Sequence, residues 1–222
     1  MAARPPAIDL SPRARPLQAR ARRSREAILE TAHALLRARG AEALTTVAIA
    51  EASGLSVGAL YRFFPNKEAI VCELYETKLA QVRALGLVNR RGEPGITPWR
   101  DFFLGYFEAL KAAEREVGFD VALADAIFLL PQLDIIDERH ARIFADSLAA
   151  DMKRFGSPWC DAALFDLAMN LYALDGSTWA CWHYSGRYPS LAIARLYEAM
   201  LTLMRPAMEG DPEPGEPAIR RP

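Results

Sequence analysis

The stretch Leu44-Thr45-Thr46-Val47-Ala48-Ile49-Ala50-Glu51-Ala52-Ser53-Gly54-Leu55-Ser56-Val57-Gly58-Ala59-Leu60-Tyr61-Arg62-Phe63-Phe64-Pro65-Asn66-Lys67 decides how this chain is read. Thr46 is a helix-capping residue, and Val47, Ile49 and Ala50 open a short helix. Gly54 closes it, because glycine takes the left-handed conformation that a tight turn needs. Ser56 caps a second short helix that runs to about Phe63. Pro65 ends that one, since the residue before a proline avoids helical angles. Two short helices around a tight turn must cross closely, and Ala50 is small enough to let them.

Sidedness turns this pattern toward function. Val57, Leu60 and Phe64 share one face of the second helix and are expected to pack back on the first. Gly58, Ala59 and Arg62 then face outward, with Tyr61 and Phe63 at the flanks. A helix with small outward residues fits a DNA major groove about 12 Å wide. Arg62 suits a guanine edge, which a guanidinium contacts through two donors. Thr45, Thr46, Ser56 and Tyr61 offer hydroxyls to phosphates. Lys67 stands at the first turn of the next helix, where its charge and the free N–H groups both favour a phosphate. The expected DNA-facing set is Thr45, Thr46, Ser56, Val57, Gly58, Ala59, Tyr61, Arg62, Phe63 and Lys67.

Outward from this stretch the chain reads as all-α, about nine helices, with no sustained period-two alternation and no Asn-Gly turn. The first helix spans about Arg22 to Arg39, with the stripe Ile28, Leu29, Ala32, Leu35 and Leu36, a cap at Ser24 and a stop at Gly40. A fourth helix starts at Asn66–Lys67 and reaches about Val88. Thr97-Pro98 starts the fifth; the sixth ends at Pro131 and the seventh at Gly156. The eighth begins near Pro158–Asp161 and runs to about Tyr184, and the ninth runs from Pro189 to near Arg205. The expected organisation is a disordered basic arm over 1–20, a helix-turn-helix domain over 21–70, a helical effector-binding and dimerisation domain over 71–205, and a disordered tail over 206–222.

Charge divides along the same line. Residues 1–70 hold 11 Lys+Arg and 6 Asp+Glu, whereas 71–222 hold 16 and 22. A basic end suits a polyanion. The arginines of the arm suit an adjacent minor groove, or simply solvent. The three cysteines, Cys72, Cys160 and Cys181, have no C-x-x-C spacing, so neither a disulfide framework nor a thiolate metal site is expected. Each is expected as a buried, inert thiol in an apolar helix. The N-terminus lacks the apolar core of a signal peptide, and no run is long enough to cross a bilayer; a reducing cytoplasm is the expected setting.

The residues resemble the tetracycline-repressor (TetR/AcrR) family of bacterial transcriptional regulators. The resemblance covers about Ser24 to Leu74 and is carried by Leu44-Thr45-Thr46, Ile49-Ala50, Gly54, Gly58, Leu60-Tyr61 and Phe64-Pro65-Asn66-Lys67-Glu68. It implies a three-helix DNA-binding head, a helical effector-binding body, a homodimer and, as the commoner outcome, repression. It also implies that Thr46, Ser56, Gly58, Tyr61 and Lys67 lie at or near DNA. One position departs from the pattern. Many members carry a polar ring where this chain has Phe63, which donates nothing to a phosphate.

A regulator needs an input, and the resemblance implies a ligand pocket in the body. Phe103, Phe107, Leu123, Ile127, Phe128, Phe144 and Trp179 are its candidate lining, with Asn170 or Asp125 as the orienting polar contact. Such a lining suits a small apolar or aromatic effector. The dimer surface is expected on the last two helices, through Leu164, Leu167, Ala168, Leu171 and Leu174 of the eighth and Ile193, Leu196, Ala199, Met200 and Leu203 of the ninth. No catalytic constellation, cofactor motif or metal site is expected. His33, His140 and His183 are scattered, and Asp137 with His140 makes only two ligands on one face. The alternative to a regulator is a helical protein-interaction bundle without sequence-specific DNA binding.

Overall fold

The computed structural model describes residues 19–211 apart from Glu42 and Tyr188, and, within the helices, not the side chains of Ala19, Asn89, Phe128 and Leu129. Residues 1–18 of the arm expected over 1–20, and 212–222 of the tail expected over 206–222, lie outside the described residues. Among the described residues nine helices follow in order: α1 Ala19–Arg39, α2 Thr46–Ala52, α3 Val57–Tyr61, α4 Lys67–Asn89, α5 Trp99–Val117, α6 Val121–Leu129, α7 Gln132–Arg154, α8 Asp161–Ser185 and α9 Ser190–Glu209. No strand occurs among the described residues.

Three local expectations need correction. The Ser24 side chain donates to the Arg20 carbonyl, so it lies inside α1, which starts at Ala19 rather than near Arg22. Thr45, not Thr46, caps α2: it has extended backbone angles, and its hydroxyl accepts the Ala48 N–H. Thr46 is thereby freed as the first helical residue. The third correction concerns Pro206, the first residue of the tail expected over 206–222. It lies inside α9, which continues to Glu209. Proline removes one donor there, but tertiary contacts hold the turn. Met204 and Ala207 are buried, and the Ala207 carbonyl accepts the Ser157 hydroxyl at 2.7 Å.

The chain forms two compact units: one through Ala80 with Gly118–Ile136, the other Gln81–Val117 with Asp137 onward. The first is larger than the head expected over 21–70, because α6 packs on α1. Its core joins Ile28, Ala32 and Leu36 of α1 to Leu60, Phe64 and Ile70, and to Leu123, Ala126 and Leu133. Phe119 meets Tyr75 edge-on. Polar groups fix the α1–α6 crossing. Asp120 Oδ1 accepts the Leu123 N–H and caps α6, while Oδ2 bonds His33 Nε2 at 3.1 Å and Arg37 Nε at 3.0 Å. Burial pushes the Asp120 carboxyl up, but the His33 and Leu123 bonds and Arg37 outweigh it and hold it below its ordinary value.

The second unit closes around Phe102, Phe103, Tyr106 and Phe107 of α5. Against them pack Phe144, Leu148 and Met152 of α7, Leu164 and Leu171 of α8, and Tyr197, Met200 and Met204 of α9. Five residues of the expected dimer stripe therefore belong to the chain's own core: Leu164, Ala168, Leu171, Ile193 and Met200 are all under a tenth exposed. An apolar stripe at helical spacing packs inward first, and here half of it is used within the chain. Leu167, Leu174 and Leu196 remain half-buried, and Ala199 and Leu203 exposed.

Candidate nucleic-acid interface

The α2–turn–α3 element is built by two hydroxyl caps and one glycine. Thr45 caps α2 as above. Ser56 has extended angles, and its hydroxyl accepts the Ala59 N–H at 3.2 Å. Gly54 takes φ +69°, a left-handed turn open to glycine at little cost. The Leu55 N–H then reaches the Ala50 carbonyl at 2.9 Å. Leu60 and Phe64 are fully buried and lock α3 down. The Arg25 guanidinium lies over the Phe64 ring, 4.7 Å from its centroid, and is ion-paired to Glu73. The end of the second short helix is thus clamped between α1 and α4.

What remains outward is small or polar. Thr45, Ser56, Gly58, Tyr61 and Arg62 are exposed; Thr46, Val57, Ala59, Phe63 and Lys67 are half-buried. Val57 thus packs back only in part. All ten expected residues lie on the short segment from Thr45 to Lys67, and none is closed in the core. Val47, about half exposed, joins this surface and was not among them. A Cβ added at Gly58 meets nothing within 4 Å. The Thr46 and Tyr61 hydroxyls are 3.2 Å apart and hydrogen-bonded across the two helices. Lys67 is the first residue of α4, beside Asn66, whose Oδ1 accepts the Ala69 N–H at 2.8 Å.

The residues expected to line a ligand pocket are divided between the two units. Leu123 and Ile127 belong to the first unit; Phe103, Phe107, Phe144, Asn170 and Trp179 belong to the second. The Phe128 side chain lies outside the described residues. Phe103, Phe107 and Phe144 are core residues. Asn170 is exposed and donates to the Asp166 carbonyl of its own helix. Trp179 stacks on Trp182 with ring centroids 5.7 Å apart. Beside this pair lies a polar cluster that sequence reasoning missed. Lys111, almost fully buried, reaches Asp175 at 2.8 Å, Glu114 at 3.0 Å and the Thr178 hydroxyl at 3.3 Å. Its ammonium lies 5.2 Å from the Trp179 centroid. The signal was present as Lys111/Glu114 and Asp175/Thr178, each pair one turn apart, but nothing in the sequence places α5 against α8.

Burial pushes the Glu114 carboxyl up to about 7 against the pull of Lys111, and nearby Asp175 adds to the rise. Burial likewise pulls Lys111 down, yet Asp175 and Glu114 outweigh it and keep its pKa raised. A cavity of about 10 Å³ lies against Lys111, Trp179, Trp182 and Ile193, room for about one water. A larger open groove of about 580 Å³ is lined by Asp146, Ala149, Lys153, Arg154, Asp161 and Phe165, none of them expected.

The remaining titratable candidates have structural partners. Asp137 accepts the Tyr172 hydroxyl at 2.7 Å. His140 bonds Arg83, and burial with the Arg83 charge pulls its pKa down to about 4. Cys72 is buried, and burial with Glu68 and Glu76 pushes its thiol up to about 11. Cys160 and Cys181, expected buried, are exposed: the first precedes α8 and the second lies on its outer face. Among the described residues, no group of three or more His, Cys, Asp or Glu side chains is placed to hold a metal ion, and no helix is long and apolar enough to cross a membrane.

Comparison with known proteins bears on the same segment. Residues 28–74 match the family model of bacterial regulatory proteins, tetR family. No curated protein matches the chain. The fold is shared with solved structures at low identity. A transcriptional regulator from Rhodococcus sp. Rha1 is 19% identical, with a TM-score of 0.64, over 86% of this chain and 100% of that one. A TetR-family transcriptional regulator from Streptomyces coelicolor is 20% identical, with a TM-score of 0.62, over 83% and 99%. Thermus thermophilus FadR, a TetR-family transcriptional repressor in complex with lauroyl-CoA, is 22% identical, with a TM-score of 0.55, over 89% and 100%.

Proposed function

We propose, from the premise that this chain carries the helix-turn-helix head of the tetR family of bacterial regulatory proteins, that it is a homodimeric transcriptional repressor released from its operator by a small, largely apolar ligand. The observation that carries the DNA-binding part is the sidedness of α3. Leu60 and Phe64 are sealed inward, and Gly58, Tyr61 and Arg62 are left bare outward. Nothing in the packing of the head requires that bare face to be small, polar and cationic. In this reading Arg62 takes a base edge, Lys67 a phosphate, and Thr45, Ser56 and Tyr61 supply hydroxyl donors, with the Thr46 hydroxyl bonded to that of Tyr61.

One short helix reads few bases, so two copies are needed, about 34–36 Å apart or a multiple of it. Of the expected stripe, Leu167, Leu174, Leu196, Ala199 and Leu203 on α8 and α9 are left open enough for a second copy. An apolar ligand agrees with the aromatic second unit, and Thermus thermophilus FadR shows that a shared fold can hold an acyl-CoA. Release follows if the ligand prefers a body conformation that takes the two heads out of register.

Salt-dependent binding to the DNA flanking the protein's own gene, backed by selection from random sequence, tests this. Arg62→Ala is expected to weaken the preferred site by about 1–3 kcal/mol and relax preference at one position. Lys67→Ala should weaken all sequences alike and reduce the salt slope by about one. If selection yields no preferred site, the head is structural and the chain is a protein-interaction bundle.

A further inference from the structure

The Thr46–Tyr61 hydrogen bond is poorly explained as a device of stability. Both side chains reach solvent, where water competes for the same bonds. The α2–α3 crossing is already closed by Leu60 and Phe64. What the bond does is tie the first residue of α2 to the last of α3, fifteen positions apart, and fix the direction of a phenol. Two hydroxyls that bond each other spend one proton between them and leave one. Either hydroxyl can be the donor; beside a phosphate oxygen, a stronger acceptor than either hydroxyl, the more acidic phenol gives its proton to the phosphate and Thr46 donates to the Tyr61 oxygen. The phenol proton then points outward, and the accepted bond polarises it as a donor. Phosphodiester oxygens only accept.

We infer that Thr46 is a positioning residue for Tyr61: its hydroxyl holds the phenol so that the Tyr61 proton is presented to one phosphate oxygen of DNA. This rests on the DNA-binding reading above and adds to it a division of labour between two residues that would otherwise count as independent contacts. A tyrosine held in place loses less side-chain freedom on binding than a free one. The grip is neutral, so it adds affinity without releasing a counterion.

The test is a double-substitution cycle on the whole protein. It uses a duplex obtained by random-sequence selection with the unaltered protein and titrations at several salt concentrations. Thr46→Val and Tyr61→Phe are each expected to weaken binding roughly three- to tenfold per head, the range of one neutral hydrogen bond. The double variant should bind no worse than Tyr61→Phe alone, because Thr46 acts through the phenol. Thr46→Ser, which keeps the hydroxyl, should restore most of the loss. The slope of log affinity against log salt should stay unchanged in all four, because no cation is removed. Full affinity in Thr46→Val, additive losses, or a failure of serine to rescue would each overturn the proposal while leaving DNA binding intact. If the unaltered protein selects no site, the DNA-binding reading falls and this proposal falls with it.

Discussion

Gly58 isolates the demand made on this head from outside. It is exposed in the middle of α3, its φ is not left-handed, and an added methyl meets no atom within 4 Å. Within the protein, alanine would be the better residue by about 0.5–1 kcal/mol. Gly58→Ala is therefore expected to raise the thermal midpoint while weakening DNA binding, as a methyl intrudes where a groove wall approaches. Differential scanning calorimetry and a binding titration on the same preparation check the two signs; tighter or unchanged binding would remove Gly58 from the interface. At this scale the sequence was legible where chemistry is local. Gly54, Ser56, Leu60 and Phe64 take the roles their types imply. It misled where two residues of one type adjoin. Thr45 and Thr46 are equivalent as letters, and only the backbone angles select the cap.

Whole elements were legible because stripes, caps and breakers agree with one another over many residues. The assignment of α6 was not, since a short apolar helix carries no mark of which neighbour it will cover. Asp120 supplies that mark in three dimensions. Asp120→Asn keeps an acceptor for the Leu123 N–H and so keeps the cap, but loses the charge that faces His33 and Arg37. Asp120→Ala loses both. Alanine is expected to cost the cap, about 1 kcal/mol, more than asparagine does. Arg37 is two-thirds exposed, so most of what asparagine loses comes from His33 rather than from the arginine. Hydrogen exchange over 121–129 reads this directly. Equal protection in the two variants would mean that the cap contributes nothing and α6 is held by packing alone. Half of the expected dimer stripe lies in the chain's own core for a related reason. Period alone shows that one face of α8 is apolar, not whether another part of the same chain or a second copy covers it.

For the molecule as a whole, Glu114, held beside the buried Lys111, makes stability depend on pH near neutrality. In the unfolded chain the Glu114 carboxyl ionises near its ordinary 4.5, whereas in the fold it keeps its proton to about 7. Ionisation between those values favours the unfolded state, so this group's contribution falls as pH rises through that window. Glu114→Gln removes the dependence. Its thermal midpoint, followed from pH 4.5 to 7.5, should vary less than that of the unaltered protein; parallel curves would show that Glu114 is ionised throughout. The cluster lies against the stacked indoles of Trp179 and Trp182, with the Lys111 ammonium over one of them. Two chromophores held nearly parallel at 5.7 Å couple their transition dipoles, and a cation on one face shifts its emission. The second unit thus contains its own optical probe. Circular dichroism in the indole bands and tryptophan emission will respond when α8 bends or Lys111 changes partner, so effectors can be screened without attaching any dye.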